Sequence, residues 1–207
     1  MANTHPRYSV HPSVSYLQTL INNLPQKTGR SIDEWILVLQ ESGPEDEKER
    51  RDRLKKEFNL GGATAWIIAE RSVGKSSDGA DPDAYLRAAV EYVEKMYAGP
   101  KAALRPIHNA LIDLGRSLGS DVKISPCKTI VPLYRNHVFA EIKPAARTRI
   151  DFGLCLRNSP EKLSDRLVDT GGLAKKDRIT HKFEIAALSE IDDEVRHWLK
   201  LAYDLDG

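Results

Sequence analysis

At 207 residues, 41% hydrophobic and 29% charged, the chain has the makeup of one ordinary globular domain or two small ones, which excludes a disordered or membrane-spanning class. Its net charge of +1 hides a division, because residues 15–81 carry 10 Lys/Arg against 12 Asp/Glu. Residues 122–157 carry seven basic residues against only Glu141 and Asp151, so an anion is expected to be drawn there.

The opening "MANTHPRYSVHPSVSY" lacks a basic stretch followed by an apolar core, so residues 1–14 read as a flexible tail rather than a signal peptide. Over 13–24, Tyr16, Leu17, Leu20, Ile21 and Leu24 recur at helical spacing, and Pro25 is read as the stop. Ser31 and Glu34 form an S-x-x-E capping box for a second helix that ends at Gly43-Pro44. A third begins at Pro44, with Glu45, Asp46 and Glu47 near its positive end and Arg50 to Lys56 further along, as the helix dipole favours. "GATAWIIAERS" supplies a fourth after Gly61-Gly62. The small, polar "GKSSDGAD" then reads as a linker. The division expected is a tail at 1–14, a helical module at 15–74, a linker at 75–81 and an α+β module at 82–207.

The second module opens with two helices. "DPDAYLRAAVEYVEKMYAG" runs from an Asp cap, with Pro82 at its first position, to a Gly99 stop. "PKAALRPIHNALIDLGRSLG" follows, with Pro106 close to its start. From Val122 the period falls to two. Strands are expected at 128–135, 137–143, 147–157 and 178–188, with 144–146 as part of a hairpin turn and Pro132 marking an edge or a bulge. Ile191, Val195, Trp198, Leu199 and Ala202 then outline a closing amphipathic helix. The fold class is α+β: a helical module, then an antiparallel sheet of about four to five strands with helices on one face.

"GKS" at 74–76 resembles the end of a P-loop, but Ala69 stands where the first glycine belongs and a helix end precedes it. Gly74 reads instead as a helix C-cap. "NLGGATAWII" approximates the turn of a helix-hairpin-helix module, which would aim the backbone of Leu60, Gly61 and Gly62 at a phosphate. A tight helix–helix connection is the plainer reading, since Asn59 replaces the first glycine and the surroundings are acidic. The basic run at 48–56 also holds Glu49 and Asp52 and reads as a solvated helix face.

The sheet is the leading candidate for function. Arg147, Arg149 and Arg157 share one phase of their strand, His137 and Lys143 share a phase of the hairpin partner, and Arg135, Arg178 and Lys182 lie on the flanking strands. Phe139 shares the parity of His137 and Lys143 and would stand among the charges as a stacking ring. Such a face fits phosphate or carboxylate oxygens, though an ordinary wet sheet face is also charged.

Catalytic signals are thin. No H-x-x-x-H pair occurs, His181 falls on the buried phase of its strand, and Asp192-Asp193-Glu194 are acids where a helix start favours them. Cys127 and Cys155 form no CxxC, which points to a reducing cytoplasm rather than to a disulfide scaffold or zinc site.

"KTGRSIDEW" with "RLKKEFNLGGATAWIIA" resembles a small helical domain of unknown function from bacterial proteins, marked by a KTG[RK]-x-x-[DE] start. "YAGPKAALRPIHNAL", "FAEIKP", "RTRIDFGLCL" and "EIDDEVRHWLKLAYD" resemble a second uncharacterised module, loosely labelled a predicted transport protein. The resemblance implies two modules and no established activity, and the chain has no membrane segment to support the label. The expectation is a cytoplasmic, non-enzymatic protein without cofactor or metal. It would bind an anionic partner, nucleic acid first, through Arg135, His137, Lys143, Arg147, Arg149, Arg157 and Lys182. The alternative is a small-molecule or protein-interaction module with a pocket between helix 101–118 and the sheet. No membrane contact is expected, and a homo-oligomer is possible but not indicated.

Overall fold

The computed structural model describes residues 7–75 and 80–207, so part of the expected tail and most of the expected linker lie outside the described residues. The chain divides into two compact units, one of His11–Tyr85 and one of Met1–Val10 with Leu86–Gly207.

The first unit is built from α1 (Pro12–Asn22), α2 (Leu24–Thr28), α3 (Ile32–Ser42), α4 (Glu47–Glu57) and α5 (Gly62–Ser72). Pro25 does not simply stop α1. It occupies the first turn of α2, where its missing N–H would have had no helical partner anyway. Gly29 ends α2 at φ 74°, in the left-handed region that favours glycine. The capping box forms: the Ser31 hydroxyl accepts from the Glu34 N–H at 3.3 Å, and the Ser31 N–H donates to the Glu34 carboxylate at 2.6 Å.

Helix α5 packs against α1, α3 and α4, with Ala65 and Ala69 fully buried beside Ile67 and Ile68. Small side chains there let neighbouring backbones approach, while Leu39 and Leu54 fill the space between. The basic run of α4 is partly structural. Arg50 donates to the carbonyl and hydroxyl of Ser72, both at 2.9 Å, and Arg53 donates to the carbonyl of Ser42. These guanidinium groups satisfy carbonyls left over at the ends of α5 and α3. Gly74 follows the end of α5 at φ 75°, and Lys75 pairs with Glu47 at 2.6 Å, so the "GKS" stretch begins where a helix ends.

The second unit takes up α6 (Pro82–Met96) from Leu86, a 3-10 turn (Gly99–Leu104), and α7 (Arg105–Arg116), with Pro106 tolerated in the first turn. Then come β1 (Lys123–Ile124), β2 (Val131–Tyr134), β3 (Val138–Lys143), β4 (Ile150–Leu154), β5 (Val168–Asp169), the short α8 (Gly172–Lys175), β6 (His181–Ile185) and α9 (Asp193–Asp204). The strands form one antiparallel sheet in the order β1-β2-β3-β4-β6-β5. The α+β class is as expected. The count rises to six strands because β1 and β5 are two residues each, too short to show alternation. β1 also covers β2, so Pro132 is not at the sheet edge, and a register shift follows it at Leu133/Tyr134.

Register aligns Ile142, Phe152 and Phe183 in one buried row and Ile150 with Ile185 in the next. Helix α9 lies against β3 and β4 and buries Val195, Trp198, Leu199 and Ala202. Helix α7 reaches β2 through Gly115, where a Cβ would stand 2.2 Å from Leu133 Cδ2. That close approach leaves no room for a side chain at position 115. Residues 7–10 are not loose: Tyr8 is buried, the Ser9 N–H donates to the Ile124 carbonyl at 2.7 Å, and Arg7 donates to Asn109 at 2.9 Å.

Candidate functional site

The strand expected over 147–157 is regular only across Ile150–Leu154, so the arginines fall outside it. Arg147 and Arg149 precede the strand, and Arg157 lies in the turn beyond. Phe139 is not among the charges either. The register shift beside it turns its ring into the core, fully buried and edge-on to Tyr203 with centroids 5.6 Å apart.

Charge on the polar face of the sheet is compensated. Register sets Asp151 opposite both Lys143 and Glu184, and Gly153 opposite both Glu141 and Lys182. The Lys182 ammonium reaches Asp151 at 2.7 Å and Glu184 at 3.0 Å, and the hydrogen bond to Asp151 raises its pKa. Arg149 approaches Glu184 at 2.8 Å and Asp151 at 3.4 Å. Arg135 donates to Asp121 at 3.0 Å and to the Tyr203 carbonyl at 3.2 Å, its guanidinium 4.2 Å from the Tyr203 ring centre. Asp206, nearly buried, accepts from the His137 N–H at 2.7 Å and from Arg178 at 2.7 Å, with the His137 ring 3.1 Å away. Arg157 donates to the Asp177 carbonyl at 2.9 Å. Five of the seven predicted site residues are thus held by groups of the protein itself: Arg135, His137, Arg149, Arg157 and Lys182.

Lys143 and Arg147 differ. Lys101 donates to the Pro144 carbonyl at 2.5 Å, fixing the β3–β4 connection beside the 3-10 turn. There Lys95, Lys101, Lys128, Lys143 and Arg147 line one cleft of about 530 Å³, and no carboxylate lines it. Lys95 pairs with Glu91 at 3.2 Å, both largely exposed. Lys128, Lys143 and Arg147 are exposed, and among the described residues their side chains make no hydrogen bond or ion pair. Sequence reasoning found Lys143 and Arg147, and it counted Lys128 only as part of the basic segment. Lys95 and Lys101 carry no local signal, because the chain fold alone brings them to the hairpin.

The turn at 59–62 is a tight helix connection. Asn59 takes φ 53°, a left-handed conformation that asparagine tolerates better than most residues, and the Leu60 N–H donates to the Leu54 carbonyl at 3.1 Å. Gly61 and Gly62 are exposed at the start of α5. Elsewhere, burial, with Glu141 adding to it, pushes the Cys127 thiol pKa up, the reverse of an activated nucleophile. Asp192 caps α9 and, with Glu194, holds Arg166 at 2.6 and 2.9 Å. Among the described residues no group of three or more His, Cys, Asp or Glu could hold a metal ion. Among them, too, no helix is long and apolar enough to cross a membrane.

Residues 93–206, more than half of the chain, match the family model described as a domain of unknown function (DUF5655). The chain belongs to that family. Residues 16–70 match a second model, also a domain of unknown function (DUF4287). No curated protein and no solved structure matches. All five cations of the cleft lie within the DUF5655 segment, as does the whole six-stranded sheet.

Proposed function

We propose that this protein binds a phosphate-bearing polyanion, a nucleic-acid backbone first, in the cleft between Lys95–Lys101 and the β3–β4 connection. One observation carries the reading: among the described residues the side chains of Lys128, Lys143 and Arg147 make no hydrogen bond or ion pair, and they share a cleft with two further lysines and no carboxylate. Cations without partners retain their full attraction for an external anion, whereas ion-paired ones must first give up a bond. Arg147 contributes a fork that can hold two phosphate oxygens, and the lysines contribute point charges. No aromatic side chain lines the cleft, so the contact follows the backbone rather than stacking on bases, and weak sequence preference is expected. Two free thiols, Cys127 and Cys155, fit the reducing cytoplasm as the compartment.

Fluorescence anisotropy with short labelled single- and double-stranded DNA and RNA, repeated over a salt series, tests the reading. Affinity that falls steeply with salt supports it, since each neutralised phosphate releases counterions. Absence of binding at low salt refutes it.

A further inference from the structure

A second cavity, of about 660 Å³, opens within the DUF4287 segment, formed by residues of α1, α2, α3 and the turn between α4 and α5. We infer that it is a binding site for a small anion carrying a flat apolar group. Its aromatic wall is made of Tyr16, Trp35 and Phe58, and its only charged lining residues are Lys27 and Arg30. The ligand must therefore be acidic and must offer an apolar face. The volume falls within the range of roughly 300–1,000 Å³ usual for small-molecule sites.

The local sequence explains how the cations come to be there. Gly29 ends α2 in the left-handed conformation and reverses the chain between Lys27 and Arg30. Thr28 uses the same turn to accept from Trp35 Nε1 at 3.0 Å while donating to the Leu24 carbonyl at 2.9 Å. Trp35 is thereby locked, edge-on to Phe58 with centroids 4.9 Å apart. The Arg30 guanidinium lies 5.0 Å from the centre of the Trp35 ring, so one cation is already in place over the aromatic wall. Lys27 is exposed, and among the described residues its side chain makes no hydrogen bond or ion pair. Tyr16, at 56% exposed, is a large ring that the fold leaves uncovered at the rim. The "KTGR" and "NLGG" stretches, singled out in the sequence for separate reasons, line this one cavity. This site is independent of the cleft in the DUF5655 segment, since neither shares a residue with the other.

The test titrates the ¹⁵N-labelled full chain with phenyl phosphate, benzoate and inorganic phosphate, following the Trp35 Nε1–H and the amides of Gly61 and Gly62. Saturable shifts with an aryl anion, weaker with inorganic phosphate, are expected. They should be lost in Lys27→Glu and weakened in Arg30→Gln, yet retained in Lys143→Glu/Arg147→Glu. Among the described residues the Lys27 side chain has no hydrogen bond or ion pair to lose, and a thermal melt confirms that each variant is folded. No saturable shift with either aryl anion would overturn the inference. So would equal affinity for inorganic phosphate, or unchanged binding by a folded Lys27→Glu variant.

Discussion

Two regions of the second unit carry basic residues in similar number but in opposite circumstances. On the polar face of the sheet, Arg149 and Lys182 alternate with Asp151 and Glu184 and are neutralised within hydrogen-bond distance. At the β3–β4 connection, Lys128, Lys143 and Arg147 meet no carboxylate along the cleft that they line. The difference teaches that a surplus of positive charge in a segment does not locate a binding surface. What locates it is where the fold fails to provide partners.

The contrast can be broken most severely at Asp206. Its carboxylate is nearly buried and serves both His137 and Arg178. Asp206→Ala leaves those donors without their acceptor and should cost about 2 kcal/mol, the scale for hydrogen bonds to a charged group, read by chemical denaturation.

His108 sharpens the comparison from the other side, as a polar group without a partner in the interior. It is fully buried against Tyr97, and neither ring nitrogen makes a hydrogen bond. Burial, aided by Arg105 and Arg7, lowers its pKa to about 3. The unfolded chain takes up this proton near 6.5 and the folded chain only near 3, so His108 weakens the fold as pH drops through that window. Stability should fall by about 1.4 kcal/mol per pH unit on this account, roughly 2 kcal/mol by pH 5. Denaturation of the parent protein and His108→Leu at several pH values checks it, with a shallower acid dependence expected in the variant.

Asp151→Asn is a milder break. It weakens the hold on Lys182 and Arg149 and should cost about 1 kcal/mol, while freeing cations on the sheet face. A gain in affinity for polyanions would accompany that loss. The smallest stability effect belongs to Lys128→Glu/Lys143→Glu/Arg147→Glu. Exposed side chains without partners change stability by no more than about 0.5 kcal/mol each way, so the melting temperature should barely move.

Much of the fold was legible because periodicity and capping are local. The alternation around Phe152, the Ser31–Glu34 box and the apolar stripe of α9 each declare themselves within a few residues. The site was legible only in part. Lys143 and Arg147 lie in the segment whose charge stood out, but the acids that neutralise their neighbours come from elsewhere in the chain. The carboxylates of Asp121 and Asp206 reach Arg135 and Arg178, and the backbone carbonyl of Asp177 reaches Arg157, through tertiary packing that no window along the sequence reveals. Phe139 was misplaced for a related reason, since one register shift moves a side chain to the other face. Tyr8 gave no sign that it would be buried, because a lone aromatic among polar residues has no period.

The central claim is that unpartnered cations, rather than basic residues in general, form the binding surface. Its most direct test compares two variants by anisotropy at equal salt: Lys128→Glu/Lys143→Glu/Arg147→Glu and Arg149→Gln/Lys182→Gln. The account predicts that the first abolishes binding of labelled DNA or RNA and that the second leaves it near the parent level. Equal losses in both variants, or a larger loss in the second, would contradict it.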